Sequence, residues 1–326
     1  MLIILTNSQD ATSTFLTPIL TKAGIPYLRL DTDDLISRIA FSYRPEQPRI
    51  RIDGHWYEPA DVSHVWYRRP EQLKGVQFDS SPESKYARTE WTEFIECFFS
   101  HVPKRKWMNH PSCNSAASRK LEQLTTATRL GFSIPDTLAT QDSDELRRFY
   151  EKHNGKVIVK PLATGYIERE GGESDSLIYT NRVLEHHLAN LDDLPHCPTL
   201  FQQLIEKECD VRITVVDSDL HAVELRAADE TGRQRCDIRR NNMTDVAYRR
   251  ASLPDDVAGA LRELVAQYGL RFAAIDMVRS VKGDWFFLEI NPNGQWAWLD
   301  ISAGLDIASS FVKSFSAGNP ENKCAS

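Results

Sequence analysis

The sequence lacks several of the patterns that indicate a function directly. Its six cysteines include no Cys-x-x-Cys pair, so neither a zinc ribbon nor a disulfide framework is predicted. It contains no Walker A loop and no G-x-G-x-x-G fingerprint. No pairing of serine or cysteine with histidine indicates nucleophilic catalysis. These absences exclude several common enzyme classes and predict reduced thiols in a cytosolic protein.

Positive charge is also scarce, because 39 lysines and arginines stand against 46 acidic residues, for a net charge of −7. This balance argues against a general nucleic-acid or membrane binder. The amino terminus has no basic segment, and its apolar run is too short for a signal peptide or a membrane span. With 326 residues, 41% of them hydrophobic, we expect a cytoplasmic protein of two or three packed units.

The stretch 272–298 contains two apolar, strand-like runs on either side of Lys282-Gly283. We expect a β-hairpin in which the glycine supplies the positive φ of a tight turn. Counting outward from this turn places Asp276 opposite Glu289. Strand alternation then places Glu289 and Asn291 on one face, and the opposite face is expected to hold Phe286, Leu288 and Ile290.

Two carboxylates that face each other across a ladder repel, which costs stability unless a cation lies between them. Both acids also lie within apolar runs, where unpaired carboxylates are rare. Together with the amide oxygen of Asn291 they form a donor set suited to Mg²⁺ that also binds water and phosphate. The alternative is an amphipathic edge hairpin with solvated acids, and a register slip of one residue would favour it.

The amino-terminal part of the chain predicts a parallel sheet. Apolar runs at 2–5 and 27–30 flank a helical pattern at 12–23, which is a β-α-β opening. Arg68 and Arg69 end another strand-like run, at the edge where parallel sheets bind ligands. They either face an anionic ligand or are solvated charges at a strand end.

Three further cations are candidates for a function, although a helical lysine such as Lys120 is by itself more often solvated. Lys160 ends the apolar strand 157–160, so an anionic partner is expected for its ammonium group. A polar, glycine-containing stretch at 163–176 follows and resembles a phosphate-covering loop. Lys120 is expected in the middle of a helix over 114–130, and Arg212 lies inside an apolar strand. Together with the acidic hairpin, these cations predict a binding site for a nucleoside triphosphate. Phosphoryl transfer relies on Mg²⁺ and on cations that stabilise the developing negative charge.

Short motifs along nearly the whole chain sharpen this interpretation. They include Trp66-Tyr-Arg-Arg69, Asp237-Ile-Arg239 and the run Glu289-Ile-Asn-Pro-Asn-Gly-Gln-Trp296. The chain resembles the ATP-grasp fold and, within it, the macrocyclising peptide maturases that make microviridin-like peptides (graspetide synthetases). The Glu-x-Asn pattern is shared by ATP-grasp ligases in general, whereas the other elements resemble the maturases. Ile238 stands where that family usually has tryptophan.

The resemblance implies a mixed α/β (α+β) ATP-grasp fold. Its units are an N-terminal parallel-sheet domain (1–108), a central domain with the phosphate-covering loop (109–198), a C-terminal antiparallel-sheet domain (199–318) and a tail (319–326). The implied site residues are Lys120, Lys160, Gln203, Leu204, Ile205 and Asp210 for ATP, Asp276, Glu289 and Asn291 for Mg²⁺, and Arg212, Arg239 and Asp237 for catalysis.

The implied activity is an ATP-dependent macrocyclisation. A side-chain carboxylate of a ribosomal precursor peptide, composed of leader and core, is activated as an acyl phosphate. A Thr or Ser hydroxyl then gives an ester, or a Lys amine gives an amide. A homodimer is expected, with no nucleic-acid or membrane partner. Two alternatives remain: a ligase that joins separate molecules, such as a glutamate-adding or glutathione-synthetase-like enzyme, and a non-catalytic nucleotide-binding regulator.

Overall fold

The computed structural model describes residues 1–45, 47–71, 73, 79–163, 165–167, 176–243 and 245–317. The predicted tail and most of the predicted phosphate-covering loop lie outside these residues. The strands are β1 (Leu2–Thr6), β2 (Tyr27–Asp31), β3 (Ile39–Ser42), β4 (Arg49–Ile52), β5 (His55–Tyr57), β6 (His64–Tyr67), β7 (Trp107–Met108), β8 (Thr137–Thr140), β9 (Val157–Lys160), β10 (Tyr166–Ile167), β11 (Ser176–Leu177), β12 (Asn181–Arg182), β13 (Thr199–Gln203), β14 (Lys207–Val216), β15 (Asp219–Arg226), β16 (Ala247–Arg250), β17 (Phe272–Ser280) and β18 (Trp285–Asn291).

The α-helices are α1 (Ala11–Lys22), α2 (Pro82–Ser100), α3 (Pro111–Ala117), α4 (Lys120–Arg129), α5 (Ser143–Lys152), α6 (Asp255–Gln267), α7 (Ala297–Ala303) and α8 (Ile307–Ser316). Short 3₁₀ turns lie at Pro59–Asp61, Lys104–Lys106, Glu185–Ala189, Leu194–His196 and Arg240–Met243. None of the helices in the described ranges is long and apolar enough to span a membrane.

The N-terminal unit confirms the expected β-α-β opening. Its main sheet is parallel, in the order β2-β1-β6-β7. Asp10 caps α1, because its carboxylate accepts a hydrogen bond from the Ser13 N–H at 3.1 Å. An antiparallel ribbon, β3-β4-β5, and α2 pack over one face of this sheet. The other face packs against α7 and α8, so the carboxyl-terminal helices join the first unit to the last.

The C-terminal unit is a five-stranded antiparallel sheet in the order β16-β15-β14-β17-β18. Alternate residues of β17, namely Ala273, Ile275 and Met277, pack into a core with α3, α4 and α6. The residues between them point to the opposite face, as the two-residue period of a strand requires. That face carries Arg212 on β14, directly opposite Asp276 on β17.

The central unit is a second antiparallel sheet, in the order β12-β9-β13-β8, with α5 packed against it. Strand β13 pairs with β8 and β9, so Thr199–Gln203 belongs to this sheet and not to the C-terminal unit. The expected boundary at residue 199 is therefore wrong, because an apolar strand does not reveal which sheet completes its hydrogen bonds. The other unit limits remain predictions.

The hairpin of β17 and β18 pairs Asp276 with Glu289, as expected, but by a different route. Its turn is wider than predicted, since Ser280 pairs with Asp284 and accepts the N–H of Gly283 at 2.9 Å. A β-bulge then shifts the register back between Asp276 and Met277. The bulge corrects the predicted faces: Phe287, not Phe286, enters the core with Ile290, and Leu288 faces the cleft.

The helix expected over 114–130 is broken in two. Helix α3 ends at Ala117, where the hydroxyl of Ser118 donates to the carbonyl of Asn114 at 2.7 Å. Arg119 then adopts an extended backbone (φ −87°, ψ 98°), which separates α3 from α4. Lys120 is therefore the first residue of α4 and not a mid-helix residue. Phosphate groups bind favourably at such a helix end, so the correction strengthens its expected role.

Candidate active site

A cleft of about 640 Å³ lies between the central sheet and the C-terminal sheet. Five of the six residues expected to bind ATP line it, namely Lys160, Gln203, Leu204, Ile205 and Asp210. Residues 203–206 cross between the two sheets as a hinge, which the Leu204 N–H anchors on the carbonyl of Lys156 at 2.8 Å. The volume lies within the range of cofactor pockets.

The inner wall of this cleft combines apolar and charged side chains. Ile158, Val278 and Leu288 provide apolar surface from both sheets. Asp210 is held by Lys207, whose ammonium lies 2.7 Å from its Oδ2. Burial raises the pKa of Asp210, although Lys207 opposes the shift. The pocket therefore presents an apolar slot beside the carboxylate of Asp210, which can accept hydrogen bonds from hydroxyl groups.

Lys160 extends from the end of β9 into the same cleft. Burial lowers the pKa of Lys160, and Glu289 and Asp276 partly offset the shift through their negative charge. An ammonium group with so little water around it favours an anionic ligand. Arg182 and Arg233 add positive charge to the lining. These residues give this part of the cleft a positive charge suited to an anionic ligand.

Two ion pairs lie beyond Lys160 and define the second end of the cleft, here called the reacting end. Arg212 donates from Nη1 to both carboxylate oxygens of Asp276 at 2.7 Å. Lys120 lies 3.4 Å from Glu289 and donates to the carbonyl oxygens of Pro161 and Ala163. Both carboxylates keep about a third of their side-chain surface exposed, 32% and 31%.

The pKa values of the two acids of the reacting end shift in opposite directions. Burial raises the pKa of Asp276, and the nearby negative charge of Glu289 adds to this effect against Arg212. Burial also tends to raise the pKa of Glu289, but the positive charges of Lys120, Lys160 and Arg212 outweigh burial and lower this pKa. The raised pKa of Asp276 thus reflects burial and repulsion between the two acids, and a cation bound between them would relieve that repulsion.

The donors at this end fit a magnesium ion shared with phosphate. Asp276 and Glu289 are direct cross-strand partners, and Asn291 follows on the same face. Two carboxylates and one amide oxygen are hard ligands that leave coordination positions free for phosphate and water. Among the described residues no group of three His, Cys, Asp or Glu side chains forms a complete metal site.

Arg239 and Asp237 face the same end from a loop of the C-terminal unit. Asp237 is buried, and it accepts from Arg239 Nη2 at 2.6 Å and from the Thr180 N–H at 3.0 Å. Burial would raise the pKa of Asp237, but these hydrogen bonds lower it. Arg239 itself stays half exposed, at 51%, over the ring of Tyr179. Asp237 therefore orients Arg239, and the guanidinium group is the part that a ligand can reach.

Two buried amides that sequence analysis did not single out support the reacting end. Gln123, on α4, bonds both the N–H and the carbonyl of Ile290, next to Glu289. Asn109 donates to the carbonyls of Phe272 and Pro292 at 2.8 and 3.1 Å. Each links elements that are more than 160 residues apart, so no local pattern predicts it. Arg68 matches neither of the two roles left open for it, a contact with an anionic ligand or a solvated charge, because its side chain is buried beside Asp10.

Comparison with known proteins places this geometry in a family. The family model described as "Prokaryotic glutathione synthetase, ATP-grasp domain" matches residues 122–291, just over half of the chain. Among curated proteins none matches the sequence significantly. The matched segment includes every residue assigned above to the acidic hairpin and the hinge.

Solved structures resemble the chain over almost its full length. A Chryseobacterium gregarium RiPP-associated ATP-grasp ligase, in complex with ADP and a leader and core peptide, is 28% identical, with a TM-score of 0.82, covering 98% of this chain and 97% of that one. Macrocyclase MdnB from Microcystis aeruginosa MRC is 26% identical, with a TM-score of 0.76 and coverages of 96% and 98%. Macrocyclase MdnC from the same organism, at 23% identity, a TM-score of 0.82 and coverages of 98% and 100%, shows the same fold. The fold class expected from the sequence is confirmed.

Proposed function

The chain belongs to the ATP-grasp ligase family, and we propose that it is a macrocyclase of ribosomal precursor peptides. It activates an Asp or Glu side chain of the peptide with ATP and closes an ester or amide crosslink within the same peptide. The observation that carries this proposal is the reacting end, where Arg212, Arg239, Lys120 and Lys160 surround two carboxylates next to a nucleotide-sized cleft. Full-length similarity to a ligase bound to leader and core peptides supports the peptide substrate.

The two ends of the cleft bind different parts of the nucleotide. The hinge 203–205 and the apolar slot hold the adenine, and Asp210 lies where the ribose hydroxyls would be. Lys160 and the amino-terminal end of α4, with Lys120, hold the phosphates. Asp276, Glu289 and Asn291 would hold Mg²⁺, which when bound neutralises negative charge on the β- and γ-phosphates.

The reaction transfers the γ-phosphoryl group to a carboxylate and then displaces it. A peptide carboxylate oxygen attacks the γ-phosphorus, the bond to the bridging oxygen breaks, and ADP leaves. A hydroxyl or amine of the same peptide attacks the acyl carbon, loses its proton, and phosphate departs with the oxygen of the original carboxylate. Arg212 and Arg239 offset the negative charge that develops in both steps.

Arg212 cannot serve the substrate while both oxygens of Asp276 hold its Nη1. Its Nη2 is held more loosely, by the carbonyl of Gln295 at 3.4 Å. If Mg²⁺ were held by Asp276, the guanidinium group of Arg212 would be free to bind the peptide carboxylate instead. This exchange couples carboxylate binding to the occupied nucleotide site.

An exposed apolar surface beside the cleft is suited to a peptide. Tyr166 and Ile167 on β10, with Leu177 and Ile178 at β11, are each more than two-fifths exposed. The chain continues from there into Thr180 and Arg182, which line the cleft. Exposed apolar patches of this kind mark interaction sites. We assign the hairpin of β10 and β11 to peptide binding. We also propose that the enzyme is cytoplasmic and homodimeric.

The test is incubation of the protein with ATP, Mg²⁺ and a precursor peptide encoded beside its gene. The proposal predicts the loss of one water mass per crosslink, with equal amounts of ADP and phosphate. Mild base then separates esters, which it hydrolyses, from amides, which survive. The family model also covers glutathione synthetases, so the alternative is an intermolecular ligase, and a gain of mass would establish it. An unchanged peptide with no ADP formed would contradict both.

A further inference from the structure

Arg68 is a buried cation outside the reaction described above. Only 1% of its surface is exposed, although it lies at the carboxyl end of the N-terminal parallel sheet. Its Nε lies 3.6 Å from Asp10, its Nη2 donates to Thr12 at 3.3 Å, and its Nη1 donates to the carbonyl of Asn293. Burial lowers the pKa of Arg68 to about 10, so it stays charged at neutral pH. Its guanidinium group thus joins the first unit to a loop of the last.

That loop, residues 291–296, leads directly from the metal-binding strand to the arginine of the reacting end. The N–H of Asn293 donates to Oδ1 of Asn291 at 2.9 Å and so sets the orientation of that amide. Two residues later, the carbonyl of Gln295 accepts from Arg212. A displacement of Asn293 would therefore move an expected Mg²⁺ ligand and the support of a catalytic arginine together.

The loop has no room to move without such effects. A Cβ atom added at Gly294 would lie 2.3 Å from the Cβ of Ala274 and 2.9 Å from Nη2 of Arg212. Contacts this short do not occur, so glycine is needed to let the loop lie against β17 and Arg212. Because Gly294 packs directly against Ala274 and Arg212, a shift of Asn293 would displace these neighbours as well.

We propose that Arg68 is a positioning residue that holds the 291–296 loop and, through it, Asn291 and Arg212. Asp10 neutralises Arg68 at the amino-terminal end of α1, where a carboxylate is also stabilised by the helix dipole. The N-terminal unit thereby sets the geometry of a site that contains none of its own side chains. This proposal rests on the proposed function for the identity of the reaction, but not for the geometry.

The alternative is that Arg68 only stabilises the fold by pairing with Asp10. Arg68→Lys separates the two roles, because lysine keeps the charge beside Asp10 but has a single nitrogen for three partners. Arg38→Lys is the matched control, since Arg38 pairs with Asp53 in the same unit, away from the loop. Both variants are first compared with the wild type by thermal unfolding.

The main measurement is calorimetric ADP binding with and without Mg²⁺, which needs no peptide. In Arg68→Lys we expect Mg²⁺-free affinity to be unchanged, while the gain in affinity from Mg²⁺ shrinks about tenfold, as is typical when support of a metal ligand is removed. With a peptide substrate, crosslinking should fall by about the same factor and ADP released per crosslink should rise. Arg38→Lys should match the wild type in every assay.

Gly294→Ala provides a second route if Arg68→Lys does not fold. It displaces the loop without touching the buried ion pair, and the same loss of Mg²⁺-dependent binding is expected. A folded Arg68→Lys or Gly294→Ala protein with the wild-type gain from Mg²⁺ would overturn the proposal, as would a wild type with no such gain. If the gain is lost in the variants but no peptide is ever crosslinked, the positioning role stands and the macrocyclase function fails.

Discussion

The two ends of the cleft are built from different materials. The nucleotide end consists of a backbone hinge and apolar side chains from two sheets, and its ion pairs, Lys207 with Asp210 and Arg226 with Glu208, stay within the C-terminal sheet. The reacting end consists of ion pairs that join separate strands, helices and loops. Packing and backbone contacts define the nucleotide end, whereas the reacting end is defined by ion pairs that must change partners when ligands bind. Substitutions at one end should therefore leave the other end's measurement nearly unchanged.

The strongest separation is expected from Arg212→Ala. The crosslinking rate should fall about a thousandfold, because a single donor aimed at developing charge contributes about 10²–10³ to the rate. Affinity for ADP without Mg²⁺ should stay near the wild-type value, since Arg212 does not line the nucleotide cleft. Single-turnover kinetics and calorimetry measure the two quantities. Arg262→Ala, on the outer surface of α6, is the control. Equal losses of rate and ADP affinity would contradict the division.

Glu289→Gln should have the next largest effect. It removes one of the two charges offered to Mg²⁺ and also the partner of Lys120. We expect about a hundredfold loss of rate, together with loss of most of the gain in ADP affinity that Mg²⁺ provides. Glu263→Gln, an exposed change on α6, should alter neither. A Glu289→Gln enzyme that keeps the full wild-type gain in ADP affinity from Mg²⁺ would show that this carboxylate is not a ligand.

The pH dependence of nucleotide binding should identify Lys160. Burial lowers the pKa of this lysine below the ordinary 10.5, so it loses its proton at a lower pH than an exposed lysine does. ADP affinity should therefore begin to fall on the alkaline side before that value, by about tenfold in total, as expected for a charge-assisted hydrogen bond. Lys160→Arg keeps its charge and should shift the fall to higher pH. Superimposable profiles for the two proteins would exclude Lys160 as the phosphate cation.

Leu288→Ala should have the smallest effect and act only on the nucleotide end. Its side chain lines the cleft, and losing part of its apolar contact should weaken ATP binding by about fivefold, or about 1 kcal/mol. The rate at saturating ATP should remain that of the wild type. Leu288→Met, which keeps the volume, serves as the control. A lower saturating rate in the alanine variant alone would mean that the bulge also positions Glu289.

The sequence predicts the acid pair of the reacting end correctly, but not the strand geometry that produces it. Asp276 does face Glu289, yet the predicted turn was one residue too tight and the bulge at Leu288 was not foreseen; the two errors cancel. Strand alternation and the apolar context of the acids carried that prediction, because they are local properties. The hinge residues and Asp210 were implied by family resemblance, and the cleft they line agrees with it.

The hydrogen bonds that hold the reacting end in place could not be predicted from the sequence. Gln123, Asn109 and Arg68 act through hydrogen bonds to segments far along the chain, and buried amides carry no periodic signal. The break that places Lys120 at a helix start lies at Arg119, whose backbone is extended, and no periodic pattern of the sequence marks it. The assignment of β13 to the central sheet depends on pairing partners, which an isolated apolar run does not specify.

The central claim is that the reacting end activates a peptide carboxylate by phosphorylation. The most direct measurement uses a precursor peptide whose Asp and Glu side chains carry a heavy isotope of oxygen. The account predicts that each crosslink transfers one labelled oxygen to inorganic phosphate and releases one ADP, with none of the label entering ADP. Unlabelled phosphate, or AMP and pyrophosphate in place of ADP and phosphate, would contradict it.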